Sequence, residues 1–128
     1  MYQNILQNIH TAAQASPEEL SQALIERYSM LIPEQISNID DIGNIGTLLG
    51  KLANEKTFLY SLFCYLKVVA RTEKNKGKEN RQVAEEMAMR RDAAEIMLDA
   101  VKGQYDAVSR MLTARKMELD EMRMSGQM

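Results

Sequence analysis

Two long stretches of the chain repeat apolar residues at alternating intervals of three and four positions. This spacing is typical of a helix that packs lengthwise against another helix. The first stretch runs from Ile45 to Ala70 and contains one polar position, Lys56. The second runs from Val83 to Met122, which is roughly 60 Å of helix at ~1.5 Å per residue. These two stretches predict an all-α fold.

The residues between the two stretches, Asn75-Lys76-Gly77-Lys78, predict a tight turn. Gly77 can take the left-handed backbone conformation that ends a helix, and Glu79 or Asn80 can begin the next helix. Two long helices joined by so short a loop must run antiparallel. The sequence therefore predicts a long antiparallel, coiled-coil-like helical hairpin over residues 42–128, with its turn near residues 75–80.

Residues 1–41 are predicted to form a unit of short helices. Ser16 as a cap, Pro17 at the first helical position and Glu19 three residues after the cap indicate a helix start. This helix is predicted to end just before Pro33, because the residue before a proline disfavours helical geometry. Short helices are marginal alone, so they dock on their own hairpin or serve oligomerisation. The sequence leaves both alternatives open.

The second long helix is too long to be covered by the first. Eight of the ten methionines also fall from Met87 onward, and methionine provides adaptable apolar surface. Uncovered apolar surface favours self-association, so the sequence predicts a homo-oligomer. The predicted interface residues form one stripe: Met97, Val101, Tyr105, Val108, Leu112, Leu119 and Met122. Packing of the N-terminal helices onto the hairpin is the competing explanation.

Residue types that support catalysis or metal binding are scarce. His10 is the only histidine and Cys64 the only cysteine, whereas zinc sites and activated nucleophiles need several such groups together. We predict no catalytic residue, no metal and no cofactor. A single cysteine fits a reducing compartment, and no apolar run approaches the ~18 residues of a membrane span. The expected location is the cytoplasm.

Charge is unevenly distributed around a net value of −2. Residues 1–50 hold six acids against one base, whereas a basic cluster surrounds the predicted turn: Arg71, Lys74, Lys76, Lys78 and Arg81. Arg90 and Arg91 continue this stripe. Such a cluster predicts salt-dependent contact with nucleic-acid phosphates, multiplied in an oligomer. The alternative is a lysine-rich turn that serves solubility. Few aromatic residues lie near the turn, which argues against base stacking.

A short stretch of the second helix carries a family resemblance. Leu98-Asp99-Ala100-Val101-Lys102, followed by Ala107-Val108 and Met111, resembles the C-terminal helix of the UvsY family of phage recombination mediators. Members of that family are small helical proteins that assemble into rings, bind single-stranded DNA and help to load a recombinase. The resemblance implies a phage-encoded, oligomeric, non-enzymatic accessory protein that assists DNA transactions. It adds Lys102 to the predicted nucleic-acid contacts.

A second functional class is compatible with the same features. Small phage-encoded inhibitors of host defence, such as anti-CRISPR proteins or sponges for signalling nucleotides, resemble this chain in size and in lacking catalytic residues. A protein of this class would use the acidic N-terminal region or a pocket between subunits to bind a host complex or a small ligand. A purely structural adaptor is a third possibility, and no sequence feature excludes it.

Overall fold

The computed structural model describes residues 4–28 and 42–126, and every regular element in these two ranges is helical. After a 3₁₀ turn at Ile5–Gln7, helix α1 covers Ile9–Gln14 and helix α2 covers Pro17–Tyr28. Helix α3 covers Ile42–Asn75, a second 3₁₀ turn covers Lys78–Asn80, and helix α4 covers Arg81–Met124. The predicted all-α fold is confirmed. The helix end predicted before Pro33 lies outside the described residues.

The two long helices pack against each other as the arms of a hairpin. In α3 the leucine or isoleucine at every seventh position is fully buried: Ile45, Leu52, Leu59 and Leu66. In α4 the buried apolar residues are Ala94, Leu98, Val101 and Val108. Seven residues are close to two helical turns, so this row drifts by only about 20° per heptad and stays near the contact line from Ile45 to Leu66. The predicted pairing of the two long helices is confirmed.

The one polar position in the α3 repeat has a partner on α4. The Lys56 ammonium lies 4.1 Å from the centroid of the Tyr105 ring, and both residues are half-buried. A cation over an aromatic face is attracted by the negative charge of the ring's π-system. The hairpin therefore accommodates Lys56 at the edge of its contact line without an acidic partner.

The turn is organised around the Glu73 side chain. Gly77 has φ = 107° and ψ = −176°, so its φ is positive as predicted but its ψ is extended rather than left-handed helical. The Asn80 amide donates to the Glu73 carbonyl at 3.0 Å and also to the Glu73 carboxylate. The Lys76 ammonium donates to the same carboxylate at 3.0 Å. Lys76 and then Asn80 thereby lower the pKa of Glu73.

The described N-terminal helices pack on their own hairpin, α1 against α3 and α2 against α4. The Ser16 hydroxyl accepts the Glu19 backbone N–H at 3.1 Å, which confirms the predicted helix start. Leu20 and Leu24 are buried in the same core as the hairpin residues. Residues 4–28 therefore dock on their own hairpin, and a role in oligomerisation stays a prediction.

Polar contacts at Arg90 and at Glu55 attach the described N-terminal helices to the hairpin. Arg90 of α4 is buried, and its Nε donates to the Ala15 carbonyl between α1 and α2 at 2.6 Å. The Arg27 guanidinium makes two hydrogen bonds to the Glu55 carboxylate, at 3.0 and 3.1 Å. The Tyr28 hydroxyl donates to Glu55 at 2.7 Å, and burial together with this bond raises the pKa of Tyr28 above its usual range.

Helix α4 extends past the region in which its residues are buried against the other described helices. Within the described part of α4, the last buried residue is Val108, and none is buried from 113 to 124. Met117 is 59% exposed and Met124 is 90% exposed. The sequence-based prediction that the second helix outruns its cover is therefore confirmed for the end of α4.

Candidate nucleic-acid interface

A groove lies between α3 and α4 next to the turn, with a volume of about 720 Å³. Small residues are part of its lining: Ala70, Gly77, Ala84 and Ala88. Longer side chains at these four positions would fill the space between the helices. Six cationic residues and one carboxylate, Glu85, complete the lining: Lys67, Arg71, Lys74, Lys78, Arg81 and Arg91. We refer to this site as the basic groove.

Helical periodicity explains why these cations share one groove. Lys67, Arg71 and Lys74 are four and three residues apart, so they lie on one face of α3 over about 10 Å. Arg81 and Arg91 reach the groove from α4, and Lys78 reaches it from the turn. The antiparallel pairing thus brings together charges that are up to 24 residues apart in the sequence, Lys67 and Arg91.

The cations of the groove differ in whether they have a partner within the chain. Arg81 pairs with Glu85 at 2.9 Å, and Arg91 pairs with Asp92 at 3.0 Å. The Lys67 ammonium lies 5.9 Å from the centroid of the Phe63 ring. Three further side chains make no hydrogen bond or ion pair with any described residue: Arg71, Lys74 and Lys78. All three are exposed, so they are available to an anionic ligand.

The structure brings together four of the six predicted nucleic-acid contacts: Arg71, Lys74, Lys78 and Arg81. Lys76 does not line the groove, because its side chain bonds to Glu73 and stabilises the turn. Lys102 is exposed on α4, twenty-one residues after Arg81 and hence roughly 30 Å along the helix. The predicted contacts therefore do not form one continuous site.

Sequence reasoning missed Lys67 and misjudged Arg90. Lys67 lies outside the basic cluster as read along the chain, but its spacing of four from Arg71 is a helical signal that could have identified it. Arg91 lines the groove, in agreement with the predicted continuation of the stripe. Arg90 does not, since it is only 8% exposed and bonds to Ala15 in the core.

The predicted interface residues lie in different environments. Val101 and Val108 are buried by the chain's own helices, where a second chain has no access to them. Three others are half-buried and pack against the same core: Met97, Tyr105 and Leu112. Leu119 and Met122 lie beyond the last buried position of α4, and Met122 is 41% exposed. The end of α4 is therefore the part of the stripe that remains open to contact.

Other reactive residue types are dispersed. The His10 ring lies edge-on to the Tyr65 ring, with centroids 5.1 Å apart, and Cys64 is a half-buried free thiol. Among residues 4–28 and 42–126, no three histidine, cysteine or acidic side chains are grouped as a metal site would require. None of the helices in the described part of the chain combines the length and apolar character needed to cross a bilayer.

Comparison with known proteins gives no match. No protein-family model fits the sequence, and neither a curated protein nor a solved structure is similar to it. The resemblance of residues 98–111 to phage recombination mediators therefore stays a prediction.

Proposed function

We propose that the chain is a non-enzymatic accessory protein that binds the phosphate backbone of single-stranded nucleic acid in its basic groove. One observation carries this proposal: six cations and one carboxylate line a single groove, and three of the cations have no partner among the described residues. Like charges held close together repel one another, and an anionic ligand would relieve that repulsion. Each phosphate that replaces bound counterions also contributes a favourable, salt-dependent term to the affinity.

The electrostatic attraction of this protein for a polyanion is confined to the groove. The whole chain carries a net charge of −2, so it does not attract polyanions over its entire surface. At physiological ionic strength, charges are screened beyond about 8 Å, and a ligand strand in the groove responds mainly to the cations next to it. Binding by this protein should therefore be moderate in affinity and strongly reduced by salt.

The test compares two triple charge reversals that change the net charge equally. Arg71→Glu, Lys74→Glu and Lys78→Glu are combined in the groove variant. Exposed cations outside the groove supply the control variant, which combines Lys51→Glu, Arg110→Glu and Lys116→Glu and is first checked to assemble like the parent. Binding of a fluorescent 20-nucleotide single strand is followed by anisotropy over a range of sodium chloride concentrations.

The parent should show a log–log salt slope of about −0.7 for each phosphate engaged, and hence about −3 to −4 for four to six contacts. The groove variant should lose this slope and most of its affinity, whereas the control variant should retain both. Equal losses in the two variants would show that net charge alone is responsible. Lys102→Glu, measured alongside, tests the contact that the family resemblance implies.

Self-association belongs to the same proposal. The end of α4 exposes Met117, Met122 and Met124, and a second copy of the chain could cover this surface. Several grooves in one assembly would bind one strand together, so that weak single contacts add up to useful affinity. Native mass spectrometry with and without the 20-mer reports whether the 14.6 kDa chain forms multiples and whether they bind the strand.

One observation also favours a second candidate, a phage-encoded inhibitor of host defence that sequesters a signalling nucleotide. The groove volume of about 720 Å³ falls within the ~300–1,000 Å³ range of small-molecule sites. A cyclic nucleotide would then raise the melting temperature as strongly as the 20-mer does. A rise with the 20-mer alone would favour the accessory function.

A further inference from the structure

One aromatic side chain of α3 is exposed to solvent, although the residue directly before it is buried. Tyr60 is 55% exposed, whereas Leu59, directly before it, is fully buried in the hairpin core. Tyrosine is large and mostly apolar, and it contributes contact area at an interface when a partner covers its ring. The position of Tyr60 on α3 indicates which partner that is.

Tyr60 lies on the same face of α3 as the cations of the basic groove. From Tyr60 the next positions of this face are Lys67, Arg71 and Lys74, at intervals of seven, four and three residues. Seven residues correspond to about 10 Å along the helix, which places Tyr60 two turns beyond Lys67 on the side away from the turn. The aromatic ring thus extends the row of cations in a straight line.

We propose that Tyr60 stacks against a base of a single-stranded nucleic acid whose phosphates lie in the basic groove. This inference rests on the function proposed above and names its ligand more closely, as a strand with unpaired bases rather than a duplex or a polyanion without bases. A cationic groove that follows a backbone and an aromatic side chain that holds a base are the two parts of known single-strand binding sites. In a duplex the bases are already stacked, so Tyr60 would find no free base face.

The immediate surroundings of Tyr60 support this role. Cys64 lies one turn closer to the groove, and hydrogen bonding to its side chain raises the pKa of the Tyr60 hydroxyl. More than half of Tyr60 nevertheless remains exposed. Tyr60 lies eleven residues before Arg71, about three helical turns from the basic cluster, so only helical periodicity connects its ring to the groove.

The experiment separates stacking from charge by changing both the protein and the ligand. Parent, Tyr60→Phe and Tyr60→Ala are titrated with a thymidine 20-mer and with an abasic 20-mer that has the same phosphates but no bases. Val68→Ala is the control variant, since Val68 is 61% exposed on the same helix. Val68 directly follows Lys67, and its side chain points about 100° away from that of Lys67.

Stacking on an aromatic side chain is worth enough to change affinity by about five-fold or more for each base. We expect the parent to prefer the thymidine strand to the abasic strand by this factor. Tyr60→Ala should abolish the preference by weakening thymidine binding alone, Tyr60→Phe should keep it, and Val68→Ala should leave both affinities unchanged.

Two kinds of result would overturn the inference. The first concerns Tyr60 alone, and the second concerns the proposed function itself. If the parent binds both strands equally, or if Tyr60→Ala weakens both equally, Tyr60 holds no base although the groove still binds phosphates. If the parent binds neither strand at low salt, the proposed function itself fails. The groove charge reversals, measured with the abasic strand, report on phosphate binding independently of Tyr60.

Discussion

The replacement of Arg90 by methionine tests whether this arginine belongs to the core rather than to the basic surface. Its Nε donates to the Ala15 carbonyl at 2.6 Å, and the residue is only 8% exposed. A hydrogen bond from a charged donor contributes about 1.5–3 kcal/mol. Methionine preserves most of the aliphatic volume but leaves the Ala15 carbonyl without this donor. We expect Arg90→Met to lower the free energy of unfolding by about 2 kcal/mol.

The assay is urea unfolding followed by circular dichroism, with thermal melting as a second measurement. For a domain of this size, 2 kcal/mol corresponds to a melting temperature lower by about 6–10 °C. Arg91→Met is the matched control, because Arg91 is the next residue and its ion pair with Asp92 is partly exposed. Exposed pairs contribute about 0–1 kcal/mol, so the control should unfold almost like the parent.

The two variants should also differ in their nucleic-acid binding, because only Arg91 lines the groove. Arg91 lines the groove, so Arg91→Met should weaken single-strand binding and reduce the salt slope by about 0.7, the contribution of one phosphate. Arg90→Met should bind like the parent at temperatures where it is folded. The reasoning is refuted if Arg90→Met is as stable as the parent, or if it stays folded and loses nucleic-acid binding.

Two further predictions concern the turn. Gly77 has a positive φ and an extended ψ, a combination that residues with a Cβ rarely adopt, so Gly77→Ala should destabilise the hairpin by about 1–3 kcal/mol in urea unfolding. Gly103 is the control, because it lies inside α4 with open space around its Cα, so Gly103→Ala should instead stabilise the protein by about 0.5–1 kcal/mol. Equal effects of the two glycine substitutions would contradict this account. The second prediction concerns acid unfolding. Lys76 and Asn80 lower the pKa of Glu73 in the folded protein, so the ionised Glu73 carboxylate stabilises the turn above pH 4.5, the usual carboxyl pKa. This stabilisation is lost as the pH falls through the lowered pKa of Glu73. The stability advantage of the parent over Glu73→Gln should therefore be full at pH 7 and shrink below about pH 4.5, and an advantage that persists unchanged in acid would contradict the role of the carboxylate.

The candidate site could be predicted in part, since a run of cations near a glycine turn is visible in the sequence. Arg71, Lys74, Lys78 and Arg81 all reach the groove because helical periodicity and the turn bring them together. Lys76 was predicted with them, but the turn geometry directs it to Glu73 instead. A position in a linear cluster does not determine which way a side chain points once a helix ends.

The sequence by itself determined the two long helices, their turn and the start of α2, because these depend on local rules: apolar periodicity, a glycine at the turn and a serine cap. The tertiary structure alone decided which of two adjacent arginines is buried. Arg90 and Arg91 point about 100° apart on α4, and only the packing of the N-terminal helices places the Ala15 carbonyl opposite Arg90. Arg91 instead lines the groove, so an arginine stabilises the core at position 90 and forms part of the proposed binding site at position 91.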